Sequence, residues 1–126
     1  MNIVIIIDIA KSPRITLRRE KALELIGVIK KHIVTKDLDE AERIIKNFNE
    51  YYERSRRRFE EYISLARDMA DIIKGNVAIQ KLKLFIEDKG EYVELVFDRR
   101  ISVDFLHSCL KEIGFSSIEV IDQSRS

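Results

Sequence analysis

The residues best suited to chemistry lie near the start of the sequence, where an apolar run from Ile3 to Ile7 ends at Asp8. In α/β proteins, ligands usually bind beyond the carboxyl end of a buried strand, and a carboxylate placed there can hold Mg²⁺. Cations close to such a carboxylate can bind phosphate groups. Asp8 is therefore a candidate metal ligand, and the candidate phosphate ligands beside it are Lys11, Arg14, Arg18 and Arg19.

A metal site of this kind needs a second acid near Asp8. The most suitable acids are Asp88, in the turn Asp88-Lys89-Gly90, and Asp98, at the end of a later predicted strand. If a metal site is present, the sequence favours Asp8 and Asp88 as its ligands and Mg²⁺ as its metal; the sequence establishes no cofactor otherwise. A simpler interpretation is favoured, in which Asp8 only ends a strand and the basic residues are solvated.

A second basic cluster is RSRRR, residues 54–58, which follows Tyr51 and Tyr52. Arginines can bind phosphates and tyrosines can stack on bases, so Arg56 and Arg57 are candidates for nucleic-acid contact. Acidic residues flank the cluster at spacings that allow surface ion pairs on a helix. The favoured interpretation is therefore ion pairing, with the pairs Glu50–Arg54, Glu53–Arg57 and Arg57–Glu61.

These residues must be positioned by an amino-terminal strand and a helical region. Residues 3–9 show no alternation, which predicts a strand buried on both faces. Ser12-Pro13 or Thr16 then begins a helix over about 17–34. Asp37 and Glu40 resemble a capping box, and no Gly or Pro follows until Gly75.

Residues 38–74 are therefore predicted to be one long helix, or two halves that separate near Ser55. Apolar residues recur every three or four positions through five heptads, a coiled-coil-like pattern whose first half should pair with the 17–34 helix as an antiparallel hairpin. The members of this stripe are Leu38, Ala41, Ile45, Phe48, Tyr52, Ser55, Phe59, Tyr62, Ala66, Met69 and Ile73.

From Ile79 the apolar period changes to two, and the turn at 88–90 predicts a β-hairpin. A short helix capped by Ser102 and ended by Gly114 follows, and then a last strand over 117–122. The order strand, helical pair, strand, strand, helix, strand predicts an α+β fold, a ferredoxin-like βαββαβ sheet. One domain, 1–126, would have a helical hairpin of about 17–74 between the first strand and a C-terminal ββαβ unit.

The composition limits the classes of partner. Hydrophobic residues make up 45% and charged residues 36% of the 126 positions, which is typical of a folded protein rather than a disordered one. The net charge of +1 provides no global attraction to nucleic acid or membrane. No apolar run approaches the roughly 20 residues of a membrane span, so a cytoplasmic location is expected. The many Ile, Lys and Glu residues are typical of thermophile proteins.

The string IVIIIDIAKSPRITLRRE, residues 3–20, resembles the start of the SatD family, whose chains begin with an apolar strand, Asp-Ile, a nearby Ser and a basic stretch. It is similar, more distantly, to the Asp-Ile metal motif of class III nucleotidyl cyclases. That second resemblance implies metal binding by Asp8. It also implies a second metal-binding Asp in the hairpin between the second and third strands, where Asp88 is the only rough match.

Three functions fit these observations. The favoured one is a small non-enzymatic interaction or regulatory module that homodimerises through its long helix or its open sheet face, because a sheet with helices on one side leaves the other face to be covered. The first alternative is a nucleic-acid-binding protein that uses the basic segments 11–21 and 54–58. The second is a Mg²⁺-dependent phosphoryl-transfer or nuclease-like enzyme, or a degenerate relative, with Asp8 as metal ligand.

Overall fold

The computed structural model describes residues 4–65 and 69–122. The strands are β1 (Val4–Asp8), β2 (Arg14–Arg18), β3 (Ile63–Ser64), β4 (Ile79–Glu87), β5 (Gly90–Phe97) and β6 (Ser117–Ile121). The helices are α1 (Arg19–Lys30), α2 (Lys36–Lys46), α3 (Phe48–Arg57), α4 (Met69–Lys74) and α5 (Val103–Glu112). The predicted α+β class is confirmed.

The strands form one mixed sheet in the order β3-β4-β5-β2-β1-β6. The pair β1–β6 is parallel, and the other neighbours are antiparallel. The predicted four-strand ferredoxin-like order is not confirmed, because the sheet also contains β2 and β3. Strand β2 lies between β1 and β5, and it forms ladders with both.

Strand β2 occupies the place of the first turn of the predicted 17–34 helix. Its residues alternate, with Ile15 and Leu17 buried and Thr16 exposed, and β-branched residues favour this extended conformation. Pro13 does not begin a helix, and its carbonyl accepts a hydrogen bond from the Phe97 amide at 2.8 Å. Helix α1 therefore begins only at Arg19, and it ends at Lys30.

The predicted helix over 38–74 is wrong, because the described residues of this region form three shorter helices. Asn47 separates α2 from α3, because its backbone angles, φ −109° and ψ 44°, are not helical. Its side-chain amide donates to the Arg43 carbonyl at 2.9 Å. The second helix ends before Phe59, which has φ +55°. The later stripe residues Phe59, Met69 and Ile73 are exposed, and Ala66 lies outside the described residues.

The core lies between one face of the sheet and helices α1, α2 and α5. The first half of the predicted stripe is buried there as expected, from Leu38 to Phe48. Helices α1 and α2 pack together, and the Lys30 ammonium joins them through Asp39 at 2.6 Å and Glu42 at 3.5 Å. Among the described helices, none is long and apolar enough to cross a membrane.

The carboxyl-terminal elements agree closely with the sequence pattern. Asp88 and Lys89 form a two-residue hairpin turn with φ values of +49° and +65°, as a type I′ turn requires. Ser102 caps α5 by accepting a hydrogen bond from the Phe105 amide. Gly114, with φ +106°, ends that helix in a Schellman motif, since the Phe115 amide donates to the Leu110 carbonyl at 3.1 Å.

The second face of the sheet faces away from these helices. In β1, Ile5 and Ile7 are buried while Val4 and Ile6 are 48% and 46% exposed, so the prediction of a strand buried on both faces is wrong. The reason is that no helix within 4–65 and 69–122 covers the outward side of β1. We call this surface the open face, and the register of the strands places on it Val4, Ile6, Asp8, Arg14, Thr16, Arg18, Lys81, Lys83, Phe85, Tyr92, Glu94, Glu119, Ile121 and the buried Val96.

Candidate functional site

Asp8 lies on the open face at the end of β1, directly opposite Arg14 of β2. Its Oδ1 atom accepts a hydrogen bond from the Ala10 amide at 3.0 Å, which is the geometry of an Asx turn. The carboxylate is half-buried. This hydrogen bond gives Asp8 a local role in ending the strand.

The structure does not bring Asp88 to Asp8. Asp8 pairs with Arg14 and Arg14 pairs with Val96, whereas Asp88 precedes Gly90 at the other end of β5. The strand from Gly90 to Val96 is roughly 20 Å long, at about 3.3 Å per residue. The two predicted metal ligands therefore lie at opposite ends of the sheet. The reason is that β2, and not β1, pairs with β5, and that β1 runs antiparallel to β2.

Asp98, the other predicted partner acid, follows β5 at the same end of the sheet as Asp8 but is engaged by Arg100. The Arg100 guanidinium donates to both carboxylate oxygens of Asp98, at 2.8 and 3.1 Å, and its backbone amide donates at 2.9 Å. The hydrogen bond to Asp98 raises the pKa of Arg100 above its usual value. Within the described parts of the chain, no group of three or more His, Cys, Asp or Glu side chains is arranged to hold a metal ion.

The four predicted phosphate ligands of the first segment do not converge on one point. Arg14 and Arg18 lie on the open face, and Lys11 lies in the β1–β2 connection with φ +68°. Arg19 lies at the start of α1 and joins three elements. Its guanidinium donates to the carbonyls of Ile45 and Lys46, at 3.1 and 2.8 Å, and to the Glu91 carboxylate at 3.1 Å.

The centre of the open face is a polar network around Glu94 that sequence reasoning missed. The Tyr62 hydroxyl donates to the Glu94 carboxylate at 2.8 Å, and the Arg14 guanidinium lies 3.7 Å from it. The Lys81 ammonium lies 4.4 Å from the centre of the Tyr62 ring. The alternating pattern of β5 indicated on which face of the sheet Glu94 lies. Tyr62, however, was predicted to lie on a helix, so nothing in the sequence indicated that the two residues are in contact.

The open face has two halves that differ in chemistry. The acidic half, on β1 and β6, combines acidic residues with aliphatic ones: Val4, Ile6, Asp8, Glu119 and Ile121. The basic half, on β2, β4 and β5, combines cations with aromatic rings: Arg18, Lys81, Lys83, Phe85 and Tyr92. The rings of Phe85 and Tyr92 are stacked at 5.5 Å, and the Arg18 guanidinium lies 5.7 Å from the Tyr92 ring. The open face therefore carries both acidic and basic groups, and a groove on it is lined by Asp8, Arg14, Thr16 and Glu94.

The polar network around Glu94 predicts that Tyr62 ionises at a higher pH than an ordinary tyrosine. Burial and the hydrogen bond to Glu94 raise the pKa of Tyr62 above its usual value of 10.0. The folded state therefore favours the neutral phenol, and its contribution to stability is present below pH 10 and is lost as the pH rises through the raised pKa. Ultraviolet absorbance titration of the protein, which has four tyrosines, should show a late step that Tyr62→Phe removes. In Glu94→Gln the same step should move to lower pH, whereas an unchanged late step in Tyr62→Phe would contradict the assignment.

Arg56 and Arg57 lie in the last turn of α3, on the helical side of the sheet rather than on the open face. The predicted pair Glu50–Arg54 is formed at 3.2 Å. The two pairs predicted for Arg57 are not formed, and Glu61 lies outside the helix because α3 ends at Arg57. Glu53 instead lies 3.7 Å from Arg56, and Glu61 lies 3.6 Å from Lys83.

Known proteins add no functional assignment to this geometry. The resemblance of residues 3–20 to the SatD family and to class III nucleotidyl cyclases stays a prediction, because comparison of the chain with protein-family models, curated proteins and solved structures finds no match.

Proposed function

We propose that this protein is a small non-enzymatic interaction module that forms a homodimer through its open face. The observation that supports this proposal is the arrangement of an acidic, aliphatic half beside a basic, aromatic half on an uncovered sheet surface. Exposed aliphatic residues such as Val4 and Ile6 are costly in water, and burial against a second sheet removes that cost.

A two-fold axis parallel to the strands makes this surface complementary to itself. Rotation about such an axis places the acidic half of one subunit over the basic half of the other, at the roughly 10 Å spacing of packed sheets. Such a rotation keeps each residue at its level along the strands, so Asp8 opposes Lys81 and Val4 opposes Phe85, while Ile6 lies over the aliphatic stem of Lys83. Complementary charges of this kind fix the orientation of an interface more than they add affinity.

Dimerisation through a long helix has less support. The five-heptad stripe does not continue as one helix, and its buried members from Leu38 to Phe48 pack inside the subunit. Stripe residues of the second half, such as Met69 and Ile73, lie on the six-residue helix α4. A helix of that length offers less than two turns of contact.

The proposal also includes a relationship between this fold and the ferredoxin-like fold. Strands β2, β4, β5 and β6, with the intervening helices, follow the chain order of a ferredoxin-like βαββαβ unit. In this interpretation β1 is an addition inserted between β2 and β6. It widens the sheet by one strand, and this strand supplies Val4, Ile6 and Asp8, most of the acidic half.

The homodimer is tested by placing a charged side chain on the open face and, in a control variant, on the helical side of the sheet. Ile6 and Ile86 are both 46% exposed, but Ile6 points to the open face and Ile86 to the helical side. Sedimentation equilibrium of the unmodified chain at high micromolar concentration should give a dimer mass. We expect Ile6→Lys to raise the dimer Kd by about tenfold or more, as burying an unpaired charge costs at least about 1.4 kcal/mol.

Ile86→Lys is the matched control and should leave the dimer intact. A strict monomer at high micromolar concentration would rule out the homodimer. Equal dissociation by both variants would show that the open face is not the interface. The magnesium-dependent alternative has weaker support, since Asp88 lies far from Asp8 and Asp98 is engaged by Arg100. Glu94 lines one groove with Asp8, but its carboxylate is engaged by Tyr62 and Arg14.

A further inference from the structure

The end of helix α3 shows an unusual choice of residue. The Glu60 amide donates to the Ser55 carbonyl at 2.9 Å and the Phe59 amide to the Arg56 carbonyl at 3.2 Å, which together form a Schellman motif. Phe59 thus occupies the left-handed position, with φ +55°, that Gly114 occupies after α5. A side chain other than glycine is strained there, and such strain often marks a functional site.

The strain at Phe59 is not offset by packing. Its side chain is 95% exposed, so the ring gains almost nothing from burial inside the subunit. The turn itself is well anchored, because the Ser55 hydroxyl donates to the Tyr51 carbonyl at 2.8 Å. The motif therefore holds a bare aromatic ring in a fixed position beyond the helix, where a planar ligand can stack on it.

Uncompensated cations lie beside this ring. Arg54 and Arg56 pair with glutamates of α3, but the side chains of Arg57 and Arg58 have no hydrogen-bond or ion-pair partner in residues 4–65 and 69–122. Two exposed guanidinium groups next to each other repel, and an anion that binds both removes the repulsion. Arginine is suited to phosphate because its planar donors bind two oxygens at once.

A groove next to the ring continues this chemistry between α3 and β3. It is lined by two more aromatic side chains, Tyr51 and Tyr62, together with Arg54, Arg58, Ser64 and one acidic residue, Glu60. The Arg54 guanidinium lies 4.9 Å from the Tyr51 ring, so cation and aromatic surface alternate along the groove. Alternating stacking platforms and backbone-binding cations are the pattern that binds single-stranded nucleic acid, since every unpaired base has a stacking face.

We infer that the end of α3 and this groove bind single-stranded nucleic acid, with Phe59 stacking on a base and Arg57 and Arg58 binding phosphates. A duplex is excluded as the preferred ligand, because its bases are already stacked and paired. The site lies at the β3 edge of the sheet, whereas the acidic half of the open face lies at the β6 edge. Tyr62 belongs both to this groove and to the centre of the open face, but Arg57, Arg58 and Phe59 lie at the end of α3 and Ile6 lies on β1. Loss of nucleic-acid binding and loss of the homodimer are therefore tested with separate variants and separate measurements.

The experiment measures fluorescence anisotropy of labelled oligouridine and oligothymidine at increasing salt, and uses an unlabelled duplex as competitor. The unmodified chain should bind both single strands more tightly than the duplex. The double variant Arg57→Ala with Arg58→Ala should weaken binding and reduce the salt slope by about 0.7 for each phosphate that the protein no longer binds. Arg43→Ala, which removes an exposed α2 arginine paired with Glu40, should leave binding unchanged.

Phe59→Gly makes the test independent of folding. Glycine relieves the left-handed strain, so the Tm should rise by about 3 °C, while affinity for the single strand should fall about tenfold or more with an unchanged salt slope. A protein that is more stable but binds less tightly cannot owe its weaker binding to misfolding. No binding at low salt, equal affinity for duplex, or equal weakening by Arg43→Ala would each overturn the inference.

Discussion

Replacing Asp37 with Ala is expected to lower the free energy of unfolding by about 3 kcal/mol, because it leaves two buried backbone donors without an acceptor. Asp37 is 2% exposed, and its Oδ2 atom accepts hydrogen bonds from the backbone amides of Ala78 and Ile79. Hydrogen bonds to a charged acceptor are among the stronger ones in proteins. Asp37 does not act as the helix cap that the sequence predicted; it joins α2 to the start of β4.

Thermal unfolding of Asp37→Ala should show a Tm lowered by roughly 10 °C for a domain of this length. Asp39→Ala is the control, since Asp39 lies two positions later on α2 with a 70% exposed side chain and a surface ion pair to Lys30. Exposed pairs contribute about 0.2–1 kcal/mol, so the control should lose little stability. Equal losses in the two variants would show that the bonds to β4 contribute nothing specific.

Phe48→Ala is expected to cost about 3–5 kcal/mol, as is typical for removal of a buried phenylalanine. Phe48 is 1% exposed at the joint between α2 and α3, where its ring stacks with Tyr52 at 5.7 Å. The Arg19 guanidinium lies 6.0 Å from the same ring, so the side chain also contacts the start of α1. Its removal leaves a cavity where three helices meet.

Chemical denaturation of Phe48→Ala and Phe59→Ala compares the same substitution at two positions of one predicted stripe. Phe59 is 95% exposed, so Phe59→Ala should change the free energy of unfolding by less than about 0.5 kcal/mol. Similar losses at the two positions would mean that the heptad stripe is buried along its whole length, as the sequence pattern predicted. A loss confined to Phe48 supports the division of the stripe at the end of α3.

The carboxyl-terminal part of the fold could be predicted because short-range signals determine it. Asp88 and Lys89 form a turn between two alternating runs, and Ser102 and Gly114 cap the ends of one amphipathic helix. Each of these signals acts over a few residues, so no distant contact is needed to interpret it. The same is true of the α1–α2 pair, whose apolar spacing placed Leu38 and Phe48 in the core.

The amino-terminal region could not be predicted in the same way, because long-range pairing decides it. The residues RITLR fit a helix start as well as a strand, and the ladders with β1 and β5 select the strand. The long helix was overpredicted because heptad spacing does not register a break such as Asn47, whose side chain caps the preceding turn. Tertiary contacts overrode local propensity in both places.

For the candidate site, the sequence located Asp8 and Arg14, which are neighbours on the open face. It could not locate the centre of that face, because the bond from Tyr62 to Glu94 joins residues far apart in the chain and Tyr62 was assigned to a helix. The arginine cluster was found from composition alone. Its free cations became visible only in the structure, where Arg57 lacks its predicted partners Glu53 and Glu61.

The parallel pair of β1 and β6 has a consequence for the order in which the chain folds. Among the described strands, β6 pairs with β1 alone, and the two strands come from opposite ends of the described sequence. A pairing of such long sequence separation has a high cost in loop-closure entropy and slows folding. During synthesis this edge of β1 stays unpaired until residues 117–121 have been made, and its aliphatic side chains stay available to chaperones until then.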